Sequence, residues 1–444
     1  MKGLKTNIYF KIVTILVITL LLMIPTSMIS SLISERENTQ KEAIDEVSSK
    51  WAFEQTISGP FISIPYIKYI KEISSKDSSE KIVQVKDYIQ ILPSELNING
   101  QMNPEKRNRG IYDIVVYTSN LNISGKFAPT KFSELDIPIQ NIQFDKARLT
   151  IGINDLRGIE KQVSLNWNGG MYSFNPGVIS TDVVKSGINS PITITPNDST
   201  SYSFSLNLDL KGSQLLYFTP LGKVTDIAMK SAWKNPSFNG AFLPDSKNVS
   251  DKGFEAKWNV LHLNRNYPQV WTGSNYSIAE SAFGVDLLLP VDNYQKSTRT
   301  IKYAILFIAF TFMVFFFIEV LNKIFIHPVQ YILVGVALVV FYTLLISISE
   351  HLQYNSAFII SALASLLLIA GYVKAILKSK PLTYLISGIL FLLYGFIFTI
   401  IQLQDFALLI GSIGIFLILA LAMYFSRKID WYSINIQDKP VENI

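Results

Sequence analysis

The 444-residue chain is 49% hydrophobic and only 16% charged, with a formal net charge of +5, whereas an ordinary soluble domain carries about a quarter charged residues. With no cysteine, disulfides, Cys-ligated zinc and thiol catalysis are excluded, and three histidines (His262, His327 and His351) supply no His-rich metal site. No Lys/Arg block tracks a phosphate backbone, which argues against nucleic acid as a partner.

The charge is concentrated in residues 34–300, while 301–425 hold only a handful of ionisable side chains. That split predicts a polar domain joined to a membrane domain. At the N-terminus, Lys2, Lys5 and Lys11 precede an apolar run over 12–33. About twenty-two residues suffice to cross ~30 Å at 1.5 Å per residue. A cleaved signal peptide has a shorter apolar core that ends at small residues of the A-x-A kind, and no such site follows here. The run is therefore expected to be an uncleaved anchor, kinked at Pro25.

The next stretch, "SERENTQKEAIDEVSSKW", lacks Gly and Pro and favours helix. Beyond Gly59-Pro60 the texture becomes that of strands. In "YSFSLNLDL" Tyr202, Phe204, Leu206, Leu208 and Leu210 alternate with polar residues, and Phe254, Ala256, Trp258 and Val260 repeat the pattern in "FEAKWNVLHLN". "IYDIVVYTSNLNISGKF", "ARLTIGI" and "KQVSLNWNG" are further strand candidates, and "NGG" at 168–170 is a hairpin signal. These features predict a mainly antiparallel, sandwich-like β region, as one large sandwich or two small ones. His262 falls on an apolar strand face with no partner nearby. None of the hydrolase, zinc-protease or phosphate-loop motifs occurs.

Five further apolar stretches follow at 303–321, 329–349, 356–376, 382–403 and 406–425. Lys323, then Lys374, Lys378 and Lys380, then Arg427 and Lys428 lie in alternate connections; the intervening turns "EHLQYN" and "QLQDF" have neither Lys nor Arg. The positive-inside rule places both termini in the cytoplasm and 34–300 outside. The expected architecture is thus a multi-pass α-helical membrane protein. It has six transmembrane helices, one N-terminal anchor (1–33) plus a C-terminal five-helix bundle (301–425), with a large β-rich, sandwich-like periplasmic domain (34–300) and a cytoplasmic tail (426–444).

Several of these stretches succeed one another in a specific order: "WAFEQTISGPFISIPY", "GIYDIVVYTSNLNISGKF", "DLRGI", "SAWKNPSFNGAFLP", "FGVDLLLPVDNY", "KYAILFIAFTFMVFFFIEVL" and "HPVQYILVGVALVVFYTLLISISEH". Together they resemble the CreD family of bacterial inner-membrane proteins, over roughly residues 35–431. The resemblance implies an inner-membrane location in a Gram-negative bacterium. It also implies a periplasmic outer domain and a role in cell envelope integrity and the envelope stress response, without an established enzymatic activity.

Polar residues near the membrane complete the reading. Glu319 stands four residues before Lys323, a spacing that predicts an interfacial ion pair. Tyr342 and Tyr394 fall near mid-membrane, where a phenol hydrogen-bonds to another helix, and Ser361/Ser365 and Gly411/Gly414 allow close helix approach. Glu350 and His351 occupy one outer turn, and Gln404 and Asp405 with Gln402 occupy the other. These are expected to form a polar cluster that tethers the bundle to the outer domain; proton sensing or transport, and simple solvation, are the alternatives. No catalytic, cofactor or metal residue is expected. The expected partners are the lipid bilayer and an unidentified periplasmic or envelope protein. A transporter or channel component and a periplasmic ligand-sensing membrane protein remain as alternatives, although the central thirds of the spans lack Asp, Glu, Lys, Arg and His.

Overall fold

The computed structural model describes residues 8–73, 80–195, 201–289, 293–403 and 406–429. The chain divides into two compact units: Met1–Gln40 with Val291–Ile444, which is helical, and Lys41–Pro290, which is mostly β. Among the described residues, six helices are long and apolar enough to cross a membrane by length and composition.

The first of these is Ile8–Trp51, built from α1 (Ile8–Leu21) and α2 (Met23–Trp51). Pro25 has no N–H to offer the Leu21 carbonyl, and the helix is interrupted at that step. The polar stretch after residue 33 stays helical to Trp51, as its composition predicts. The division between the units falls within α2.

A short helix α3 (Asn293–Lys302) leads into α4 (Ala304–Leu321). The sequence boundary at 300/301 therefore cuts through a helix. Hydropathy sees only the apolar run of α4, whereas α3 is amphipathic and buries Tyr294, Ser297, Thr300 and Ile301 on one face. Helix α5 (Pro328–Ser349) begins at a capping arrangement. His327 Nδ1 accepts the Val329 N–H at 3.3 Å, Gln330 Oε1 accepts the His327 N–H at 3.0 Å, and Pro328 supplies a residue that needs no acceptor there. Helices α6 (Tyr354–Leu377), α7 (Lys380–Gln402) and α8 (Ala407–Ser426) follow. Within α8 only Gly414 is buried. A Cβ there would lie 2.1 Å from the Phe396 ring, so a larger residue would make that ring move; Gly411 meets open space.

The β unit has two sheets, of nine and eight strands. The long strand Gln55–Ile73 centres the first, pairing antiparallel with Glu80–Ile91 and Arg148–Ile153 and parallel with Leu215–Thr219. In the second, Tyr112–Phe127 pairs antiparallel with Glu95–Arg109 and with Tyr202–Ser213. There Val224–Ser231 lies parallel to Glu95–Met102 and antiparallel to Gly253–Leu261. Inward residues of both sheets form one hydrophobic core, including Ile57, Phe218 and Phe283 from the first and Leu208, Ile123 and Trp258 from the second. One sandwich-like body thus answers the open choice between one and two. The alternations read from sequence hold, with Phe204, Leu206, Leu208 and Leu210 buried, and Phe254, Ala256, Trp258 and Val260 likewise. Asn168 (φ +47°) and Gly169 (φ +85°) form the two-residue turn joining Ser164–Trp167 to Gly170–Ser173. His262 lies just past the strand end, half-buried, its N–H donated to the Lys223 carbonyl at 2.8 Å.

Candidate functional site

Glu319, two residues from the end of α4, is the one buried charged residue among those described, at 5% exposure. It ion-pairs with Lys11 of α1, whose side chain is 11% exposed. It also accepts the Tyr331 hydroxyl at 2.9 Å and the Ile326 backbone N–H at 3.0 Å. Lys11 lies 4.5 Å from the Phe325 ring centroid as well. One carboxylate thus joins α1, α4, the α4–α5 connection and α5. The pair expected between Glu319 and Lys323 is not formed. Helix α4 ends at Leu321, and Lys323 adopts φ +55° with an exposed side chain, so the i,i+4 geometry is lost.

At the other end of the bundle, Glu350 caps α5. Its carboxylate lies 3.5 Å from Arg36 of α2 and accepts the Tyr294 hydroxyl of α3 at 3.3 Å. Asn293 donates to the Ser349 carbonyl at 2.7 Å, and Thr300 and Tyr354 share a 2.5 Å hydroxyl contact. Of the four residues expected to cluster here, Glu350 is drawn into this polar group. His351 is exposed, and Gln404 and Asp405 lie outside the described residues. Gln402 reaches Asn355 instead, at 2.5 Å.

Between the two ends the polar groups are hydroxyls. Ser365 of α6 donates to the Ala337 carbonyl of α5 at 3.0 Å, an interhelical bond of the expected kind. The hydroxyls of Tyr342 and Ser361 are buried with no protein partner among the described residues. The expected interhelical bond of Tyr342 is therefore absent, whereas Tyr394 of α7 finds the Ser365 hydroxyl of α6. Both rings pack on Phe341, at 4.9 and 4.8 Å between centroids. A buried hydroxyl left unpaired costs roughly 1–3 kcal/mol.

In the β unit, two of the sequence motifs meet at the end of α2. Asp155 accepts the Phe53 N–H at 3.0 Å and the Arg157 N–H at 3.1 Å, and pairs with the Arg157 guanidinium at 2.8–2.9 Å. Arg157 donates onward to the Ser49 carbonyl at 2.6 Å, satisfying an orphan acceptor of the last helical turn. Gln55 bridges the Asp155 and Lys211 carbonyls, Trp51 Nε1 donates to Tyr117 O at 3.2 Å, and the Arg107 guanidinium covers the Trp51 ring at 3.9 Å. The bond from Arg157, with other donors, holds the Asp155 carboxyl below its ordinary pKa. The two motifs are far apart in the sequence, and a Trp at the helix end and an Asp-x-Arg are the only local signal of their meeting. No cluster of metal-ligating side chains occurs among the described residues.

A family model described as inner membrane protein CreD matches residues 7–432. Inner membrane protein CreD of Escherichia coli (strain K12) is 34% identical over 439 residues, covering 98% of this chain and 96% of that protein. Among solved structures, an M1 zinc metallopeptidase from Deinococcus radiodurans superposes with a TM-score of 0.19 at 8% identity, covering 41% of this chain and 42% of its own. A mutant form of it gives 0.18 at 8% identity and 38% of each chain. Scores that low establish no shared fold, and no peptidase chemistry follows from them. Sequence similarity spanning both the β unit and the helices carries the assignment: the chain belongs to the CreD family of inner membrane proteins.

Proposed function

We propose that this protein is a non-enzymatic scaffold of the inner membrane that supports envelope integrity and the envelope stress response by presenting its β unit to a periplasmic or envelope protein. The observation that carries this reading is the use of charge in the helical unit. Glu319 binds together four chain segments and Glu350 three. Intramembrane charges that serve transport instead face a cavity or pathway. The alternate Lys-rich connections support cytoplasmic termini and a periplasmic β unit. Glu350 acts here as a tether in a specific sense: through Arg36 it fixes the root of α2, the segment that carries the chain into the β unit.

The test is crosslinking from the periplasmic side in native membranes, with photoreactive residues at exposed positions such as Met171, Leu243 and Leu263. Reproducible capture of one envelope protein, lost when that protein is deleted, supports the scaffold. Uptake or efflux of a solute that depends on the chain, with no protein captured, would favour the transporter reading.

A further inference from the structure

Two apolar crevices flank the contact between α4 and α8, both within the helical unit. One, of about 470 Å³, lies between α1, α4 and α8; the other, of about 380 Å³, lies between α4, α7 and α8. Met313, Phe317 and Ala422 border both. The second runs along α8 from Phe425 to Gly414. At 1.5 Å per residue that is about 16 Å, half of a ~30 Å hydrocarbon core. The groove is one leaflet deep.

Both crevices end where cations stand. Ile429, just past α8, is buried in a cluster with Ile8 of α1 and Phe316 of α4, and Phe316 also lines the first crevice. That anchorage holds the exposed Arg427 and Lys428 beside Ser426 and Phe425, the last residues of α8 to line the first and second crevice. The Arg427 guanidinium lies over the Tyr424 ring at 4.6 Å, and the Lys428 ammonium is 5.2 Å from the Tyr424 ring and 5.6 Å from that of Phe425. Neither cation forms an ion pair among the described residues. Glu319, the buried acid at this end, is already matched by Lys11.

We propose that the crevices on either side of α8 bind one phospholipid with a net negative headgroup, its acyl chains in the two grooves and its phosphate at Arg427 and Lys428. The two parts of the site carry separate halves of that chemistry. Walls of aliphatic and aromatic side chains along half a bilayer take hydrocarbon and give no polar group a partner. A guanidinium lying over a ring keeps its N–H fork at the edge, where it suits a phosphate. Two unmatched cations favour a headgroup that stays negative over one whose phosphate is offset by its own ammonium.

The experiment reconstitutes the full chain in bilayers of equal phosphatidylglycerol and phosphatidylcholine with the same acyl chains. The protein is then extracted in mild detergent, and the lipid it retains is identified by native mass spectrometry. The wild type is expected to keep phosphatidylglycerol in excess, by about fivefold for each cation that reaches the phosphate. Arg427→Gln with Lys428→Gln should bring the two lipids to near parity while lipid is still carried. Ala422→Phe, at a residue that borders both crevices, should reduce retention of both lipids. The glutamine variant alters only exposed side chains, so it decides the matter even if Ala422→Phe does not fold. Equal retention of the two lipids by the wild type, an excess that survives the double glutamine variant, or a lipid-free dimer as the extracted species would each overturn the site.

Discussion

The arrangement around Glu319 makes an unequal prediction for the two halves of the ion pair. Glu319→Ala removes the acceptor for Lys11, for the Tyr331 hydroxyl and for the Ile326 N–H, all in surroundings that are nearly dry. Two neutral donors and one stranded ammonium together cost about 3–5 kcal/mol. Lys11→Met leaves the acid with two donors, so the loss should be smaller, roughly 1–3 kcal/mol. The swapped double variant, Lys11→Glu with Glu319→Lys, should not recover stability, because the tyrosine and the amide would then face a second donor. Glu319→Gln combined with Lys11→Met keeps an acceptor oxygen and should resemble Lys11→Met alone. Reversible unfolding in bicelles measures the series. Recovery by the swap, or equal losses for Lys11→Met and Glu319→Ala, would refute the carboxylate as the common acceptor.

Two further outcomes follow from the geometry elsewhere. In this cysteine-free chain, Asn355→Cys should react with an impermeant thiol reagent in intact cells while Ser379→Cys should not; reaction at position 379 alone would reverse the topology. Asp155 has a folded pKa below the unfolded value of about 3.9, so the stability it adds is present above that pH and disappears as pH falls through the folded pKa. Asp155→Asn should therefore cost roughly 1–2 kcal/mol near neutrality, modest because Arg157 is half-exposed. In urea unfolding, the gap to wild type should close as the pH is lowered below about 4, and a gap that persists there would show that the loss is not electrostatic.

What the sequence made legible is what depends on near neighbours. Apolar runs gave the spans, and the alternation of Tyr202 to Leu210 gave a strand whose inward face is buried. Glu319 was visible as an acid close to a membrane boundary, but its partner was sought nearby, at Lys323. The true partner, Lys11, lies at the start of the first span and is separated from Glu319 in sequence by the whole β unit. The same distance hid the joint of Asp155 with Phe53 and of Arg157 with Ser49. Helix α3 escaped for a different reason: it buries Ser297 and Thr300 as well as Tyr294 and Ile301, so no apolar stripe announced it.

These long-range polar contacts also explain how an otherwise featureless anchor finds its place. Helix α1 reads as apolar on every side, and lipid tails would cover it as well as the other helices do. Packing alone therefore specifies its position weakly. Lys11 at its start is held on the Glu319 carboxylate of α4, and Arg36 farther along, in α2, on the Glu350 carboxylate at the end of α5. Helix α8 has no such ion pair among the described residues and buries only Gly414. The two acids thus seat α1 and the first part of α2 within the helical unit.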